Sequence, residues 1–222
     1  MVDLKNLIIE PESYRNKYNE KILCNYEESL TSLKERGYQR HLYPSEAIEL
    51  IIQGIDNPQS IYRPIYEGMI LTFGGEWLGA AMQLIENTLT IYLNPGLIFN
   101  SFDSNLYQSL KDKLFGELTH DYYLPKGDFE YSEKIEFDLT GIYESELRNK
   151  WSSTKIPLSH LPEDLLTFLY SRKFNDLPDM IKKSYMFIPQ EKKIMPCGLE
   201  NIGFDIFGCT TGRASRGVSC II

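Results

Sequence analysis

A chain of 222 residues, 42% hydrophobic and 24% charged, has the size and balance to bury a substantial core. Its formal net charge of −8 excludes broad electrostatic binding of nucleic acid, and its apolar runs break well short of a membrane span. The opening MVDLKNLIIEPESYRNKY lacks the basic and apolar regions of a signal peptide, so a cytoplasmic protein with reduced thiols is expected.

In chain order, Tyr14, Tyr18, Ile22, Tyr26, Leu30 and Leu33 recur at close to helical spacing. They predict a long amphipathic helix over 12–36, entered at Pro11 and stopped at Gly37. A second helix is expected over 44–53, with Ala47, Ile48, Ile51 and Ile52 on one side and Glu46 and Glu49 in its early turns. From Tyr66 the texture becomes strand-like: Met69–Phe73, Trp77–Ile85 and Thr88–Leu93, separated by Gly74-Gly75 and Glu86-Asn87. The composition of EWLGAAMQLI (76–85) suits a short helix equally well.

A helix over 104–118 follows, then a strand over 129–139. In that strand Phe129, Tyr131, Ile135, Phe137 and Leu139 form the buried face, and Glu130, Lys134, Glu136 and Asp138 the wet one. Helices over 144–151, 162–174 and 176–183 and a strand over 185–188 complete the reading. The sum is an α+β fold: a mostly antiparallel sheet, with a meander over about 66–93 and strands near 129–139 and 185–188, packed with four to six helices. One domain over 1–222 is expected, with subdivision near 100 or 150 as the alternative.

Chemistry concentrates in the last twenty residues, GFDIFGCTTGRASRGVSCII, which hold four glycines and two each of Thr, Ser, Cys and Arg. Such a segment suits either an anion-binding loop, with backbone N–H groups and guanidiniums converging, or a plain surface loop and terminal strand. The span from Cys209 to Arg213 holds three residues, not the five of the cysteine-phosphatase loop, and no Gly-Lys-Ser/Thr triplet occurs. Gly141-Ile142-Tyr143, Glu144-Ser145-Glu146 and Ser152–Lys155 each match part of a catalytic signature and lack its remaining context. Cys197, Cys209 and Cys220 are spaced too widely for a compact zinc site, so neither metal nor other cofactor is expected.

A second cluster, Lys34, Arg36, Tyr38, Arg40, His41 and Tyr43, lies between the first two helices. Its basic side chains either clamp an anion or complement the helix dipole and neighbouring glutamates.

The leading expectation is a non-catalytic, inhibitor- or immunity-like module whose acidic, tyrosine-rich surface holds a protein partner, away from membranes. A rival is a phosphate- or nucleotide-binding enzyme. Its anion site would join Arg36 and Arg40 to Thr210, Thr211, Arg213, Ser215 and Arg216, with Cys209 or His41 as the reactive group. A third reading is a self-associating assembly component acting as a homo-oligomer.

Overall fold

The computed structural model describes residues 8–10, 26, 29–30, 33, 39–59, 75–96, 130–142, 153–189, 194–200, 205–208, 216–217 and 219–221. The strand expected over 69–73 and the helices expected over 104–118 and 144–151 lie outside them. Of the helix expected over 12–36, Tyr26, Ser29, Leu30 and Leu33 are described; they are helical and buried.

The first bounded helix, α1 (Pro44–Asp56), starts where the sequence signals say it should. Pro44 supplies a preset φ at the first turn, and the Glu46 carboxylate reaches back to accept the Tyr43 N–H at 2.8 Å. Ala47, Ile48, Leu50, Ile51 and Ile52 are all buried, so α1 is wrapped by core on more than one side. Two further helices, α2 (Glu163–Tyr170) and α3 (Asp179–Lys182), follow Pro162 and Pro178. Leu165, Leu166, Leu169 and Tyr170 face inward from α2, which packs on α1. These three are the α-helices with defined bounds among the described residues, fewer than the four to six expected from sequence.

The strands are β1 (Ile8–Glu10), β2 (Arg40–His41), β3 (Gly75–Ile85), β4 (Thr88–Leu93), β5 (Glu133–Asp138), β6 (Ser153–Pro157), β7 (Tyr185–Pro189), β8 (Met195–Glu200), β9 (Ile206–Gly208), β10 (Arg216–Gly217) and β11 (Ser219–Ile221). The large sheet runs β5-β4-β3-β8-β9-β7-β6, with β10 added beside β3. It is mostly antiparallel; β7–β9 and β10–β3 are the parallel pairs. A small sheet, β1-β11-β2, stands apart in the ladder.

The ambiguous EWLGAAMQLI is strand: it pairs in register with β4 across a Glu86-Asn87 turn in which Glu86 takes a left-handed φ of 55°. Gly75, expected in a turn, instead opens β3. The core lies between the β3–β4–β5 face and helices α1 and α2. There Met82, Leu84, Leu89, Ile91 and Phe137 meet Leu50, Ile51, Leu165 and Leu169.

The two sheets touch at Gly79. Its N–H donates to the Leu42 carbonyl at 2.7 Å, and a Cβ there would sit 2.7 Å from the His41 carbonyl oxygen. Only glycine lets β3 and β2 approach this closely. A register shift in the β3–β8 pairing between Trp77 and Ala81 falls at the same point.

Candidate functional site

Among the described residues two places gather side chains with chemistry, one buried and one exposed. The buried cluster centres on His41, which is 1% exposed. Ser29 sits with its Oγ 2.8 Å from His41 Nε2 and 2.6 Å from the Tyr26 carbonyl, to which it donates. A hydroxyl has one hydrogen, and that hydrogen serves Tyr26. His41 Nε2 is therefore the donor to Ser29, which leaves Nδ1 as a bare acceptor. Among the described residues Nδ1 has no hydrogen-bond partner.

Tyr26 stacks at a tilt on His41, meets Trp77 edge-on, and donates its own hydroxyl to the Pro95 carbonyl at 3.2 Å. Burial pushes His41 down to about 3. Burial, and then the Cys197 thiol, push Tyr26 above its usual range, and burial does the same to Cys197.

This geometry does not activate a nucleophile. The Ser29 proton is held by a backbone carbonyl rather than offered to the imidazole, and the orienting acid of a catalytic triad is not among the hydrogen-bond partners of Nδ1. Cys197 is a buried neutral thiol, the opposite of a reactive thiolate.

Arg40 is likewise turned inward. Its guanidinium grips Glu46 in two parallel bonds of 2.7 and 2.9 Å, donates to the His41 carbonyl and lies over the Tyr43 ring at 3.7 Å. Along the chain Arg40 lies on a basic loop and Glu46 at a helix start; their mutual burial appears only once β2 docks.

The other expected anion-site residues fall as follows. Arg36, Cys209, Thr210, Thr211, Arg213 and Ser215 lie outside the described residues. Arg216 and Gly217 form β10, in parallel register with Glu76 and Trp77. In β11, Ser219 stands opposite His41 and Cys220 opposite Arg40. The backbone of the tail and of the 40–41 segment are therefore adjacent, although the Arg40 and His41 side chains are both committed to the interior.

The exposed place is the outer face of β5, which continues from the buried Thr90 and Tyr92 of β4. Register sets Tyr92 opposite Lys134, Thr90 opposite Glu136 and Thr88 opposite Asp138. The Tyr92 ring meets Tyr131 edge-on at 5.1 Å, and the Tyr92 hydroxyl donates to Gln83 at 2.9 Å. Glu136 and Asp138 are exposed on this face, Glu130 is exposed beside Tyr131, and Glu133 is exposed on the opposite face of β5; among the described residues of β5 the cation is Lys134, which Glu136 already holds at 2.6 Å. Burial is the main cause that raises the Tyr92 pKa, with Tyr131 and Glu136 adding to it and Lys134 opposing.

Tyr131 corrects the sequence expectation. Placed there on the buried face, it is 45% exposed, because a bend at Ser132 resets the alternation before β5 begins. The interruption at Ser132-Glu133 was the available signal.

Among the described residues no group of three His, Cys, Asp or Glu is placed to hold a metal ion. No described helix is long and apolar enough to cross a membrane. Compared with known proteins, the chain matches no family model, no curated protein and no solved structure.

Proposed function

We propose that this protein is a non-catalytic binding module that presents Tyr131 and the acidic face of β5 to a protein partner carrying complementary positive charge. The observation that carries this reading is the exposed Tyr131, braced edge-on against the buried Tyr92, beside the exposed carboxylates of Glu130, Glu133, Glu136 and Asp138. An exposed ring held by a buried one supplies apolar contact area at low entropic cost, and the carboxylates steer and select the partner. The inward commitment of Arg40, His41, Ser29 and Cys197 supports the absence of catalysis at the buried cluster.

Affinity capture from the native host with the wild-type protein and with a Tyr131→Ala/Glu133→Lys variant tests it. A partner retained by the wild type, lost by the variant and eluted by salt is the expected result. A partner held equally by both sinks the reading.

The rival, an anion-binding enzyme built on the tail, draws on the register that sets Ser219 against His41 and Arg216 against Glu76. It requires that an Arg213→Ala/Arg216→Ala variant lose affinity for nucleotide or inorganic phosphate. Unchanged affinity in that variant removes it.

A further inference from the structure

We infer that the partner engages by adding an extended strand to the edge of β5 that no strand among the described residues occupies, and that this strand alternates basic and apolar residues. The inference rests on the protein-binding reading above and specifies how that surface is used.

The first step is the direction of the backbone groups. The Leu139 N–H donates to the Asn87 carbonyl, and the β4–β5 register pairs Phe137 with Leu89, Ile135 with Ile91 and Glu133 with Leu93. In an antiparallel ladder, hydrogen-bonded positions alternate, so residues 133, 135, 137 and 139 turn their N–H and C=O toward β4. Lys134, Glu136 and Asp138 turn theirs outward. Among the described residues β5 pairs with β4 alone, which makes it one end of the large sheet. Three outward residues offer a template for a strand of about six residues.

The second step is the chemistry of the two faces that an added strand would extend. On the outer face its side chains fall beside Lys134, Glu136 and Asp138, where carboxylates outnumber the one internally paired lysine. Lys or Arg fits there, next to the Tyr92–Tyr131 pair. On the inner face they fall beside Ile135 and Phe137. Ile135 is half-buried, and Phe137 packs on the half-buried Phe168 of α2 at 5.5 Å between ring centres. The hydrophobic layer beneath the sheet is thus incompletely covered at this edge, and apolar residues complete it. A second copy of the chain is the poorer occupant, since joining two β5 edges sets two net-acidic rows side by side.

The test uses the full-length protein, two ten-residue peptides and residue-resolved amide exchange. One peptide alternates Lys and Val, the other Glu and Val. The Lys/Val peptide is expected to slow exchange at Lys134, Glu136 and Asp138 about tenfold or more, leaving Ile135 and Phe137 unchanged, and to lose this effect as salt rises. The Glu/Val peptide is expected to protect nothing.

Glu136→Pro removes the central outward N–H while sparing the bonds to β4, and should abolish the protection. Glu133→Lys/Asp138→Lys should abolish it through charge. If Glu136→Pro binds the peptide as the wild type does while charge reversal prevents binding, strand addition is overturned and the acidic-surface reading stands. If the Lys/Val peptide protects no β5 amide and charge reversal changes nothing, both fall. If the three outward amides are protected without peptide and the protein sediments as a dimer, the edge belongs to a second copy and the inference is overturned.

Discussion

At the scale of single residues, His41 carries the clearest energetic signature. Its imidazole is neutral when folded, with a pKa near 3, and ordinary when unfolded, near 6.5. Below about 6.5 the unfolded chain binds a proton that the native state refuses. Stability is therefore full above that pH, falls as pH drops toward 3, and loses no more from this group below it. Between pH 7 and pH 5 the loss is about 2 kcal/mol, in a window above the titration of most carboxylates. His41→Gln keeps a donor for Ser29 without a titrating ring, so urea unfolding at the two pH values should show the difference shrink by most of that amount. An undiminished difference would show that another group sets the acid limb. Gly79 is the second residue whose identity matters, because a Cβ there meets the His41 carbonyl at 2.7 Å. The two His41 atoms it would meet, the carbonyl oxygen and carbon, are backbone and cannot swing aside. Gly79→Ala is expected to cost on the order of 2 kcal/mol, read as a lowered urea midpoint with the slope unchanged.

At the scale of elements, α1 and the segment just after α2 are joined by an ion pair whose carboxylate is buried and whose guanidinium is partly exposed. Glu49 is 1% exposed and accepts bonds from Arg172 Nη2, at 3.1 and 3.2 Å, and from Arg172 Nε at 3.4 Å, plus one from Gln53. Arg172→Ala leaves that carboxylate in the core with too few donors and is expected to cost about 3–5 kcal/mol. Adding Glu49→Leu should restore most of the loss, because an apolar side chain suits the surroundings of Ile48 and Ile52. Thermal unfolding of the single and double variants checks this; a double variant no better than the single would mean that the pair sets helix geometry. Elements of this kind were partly legible in the sequence. The helix near 44, the helix after Pro162 and the β3–β4 hairpin follow from local periodicity, proline position and turn chemistry, and all three stand. The strands β6, β8 and β9 did not announce themselves, since segments such as Met195–Glu200 (MPCGLE) hold Pro and Gly and become strands through their neighbours. For the same reason Arg40 and His41, basic residues on a short segment, suited either an anion clamp or pairing with the helix dipole and nearby glutamates. Their partners Glu46 and Ser29 depend on how β2 docks, which spacing alone does not encode.

At the scale of the whole molecule, the chain's most distant segments are tied together around the buried histidine. The central strand of the small sheet is β11, which pairs with β1 on one side and β2 on the other: Cys220 faces Ile9 and Arg40, and Ser219 faces His41. That sheet meets the large one at Gly79, so β11 holds β2 in the position from which His41 reaches Ser29. The tail thus has a structural consequence whatever else it does, and the consequence is measurable at a residue remote in sequence. Cys220→Pro removes an N–H from the middle of a three-stranded sheet, where proline is tolerated worst, at a cost of about 3 kcal/mol or more. If β11 secures β2, the variant should also admit water to His41. Its imidazole pKa should rise from about 3 toward the ordinary 6.5, and the extra acid sensitivity between pH 7 and pH 5 should fade with it. An NMR titration of the His41 ring in wild type and Cys220→Pro reads this directly, while Met82, Leu89 and Ile91 in the β3–β4 core report whether the large sheet stays folded. A folded variant whose His41 still titrates near 3 would show that the helix bearing Tyr26 and Ser29, rather than the tail, keeps the histidine dry.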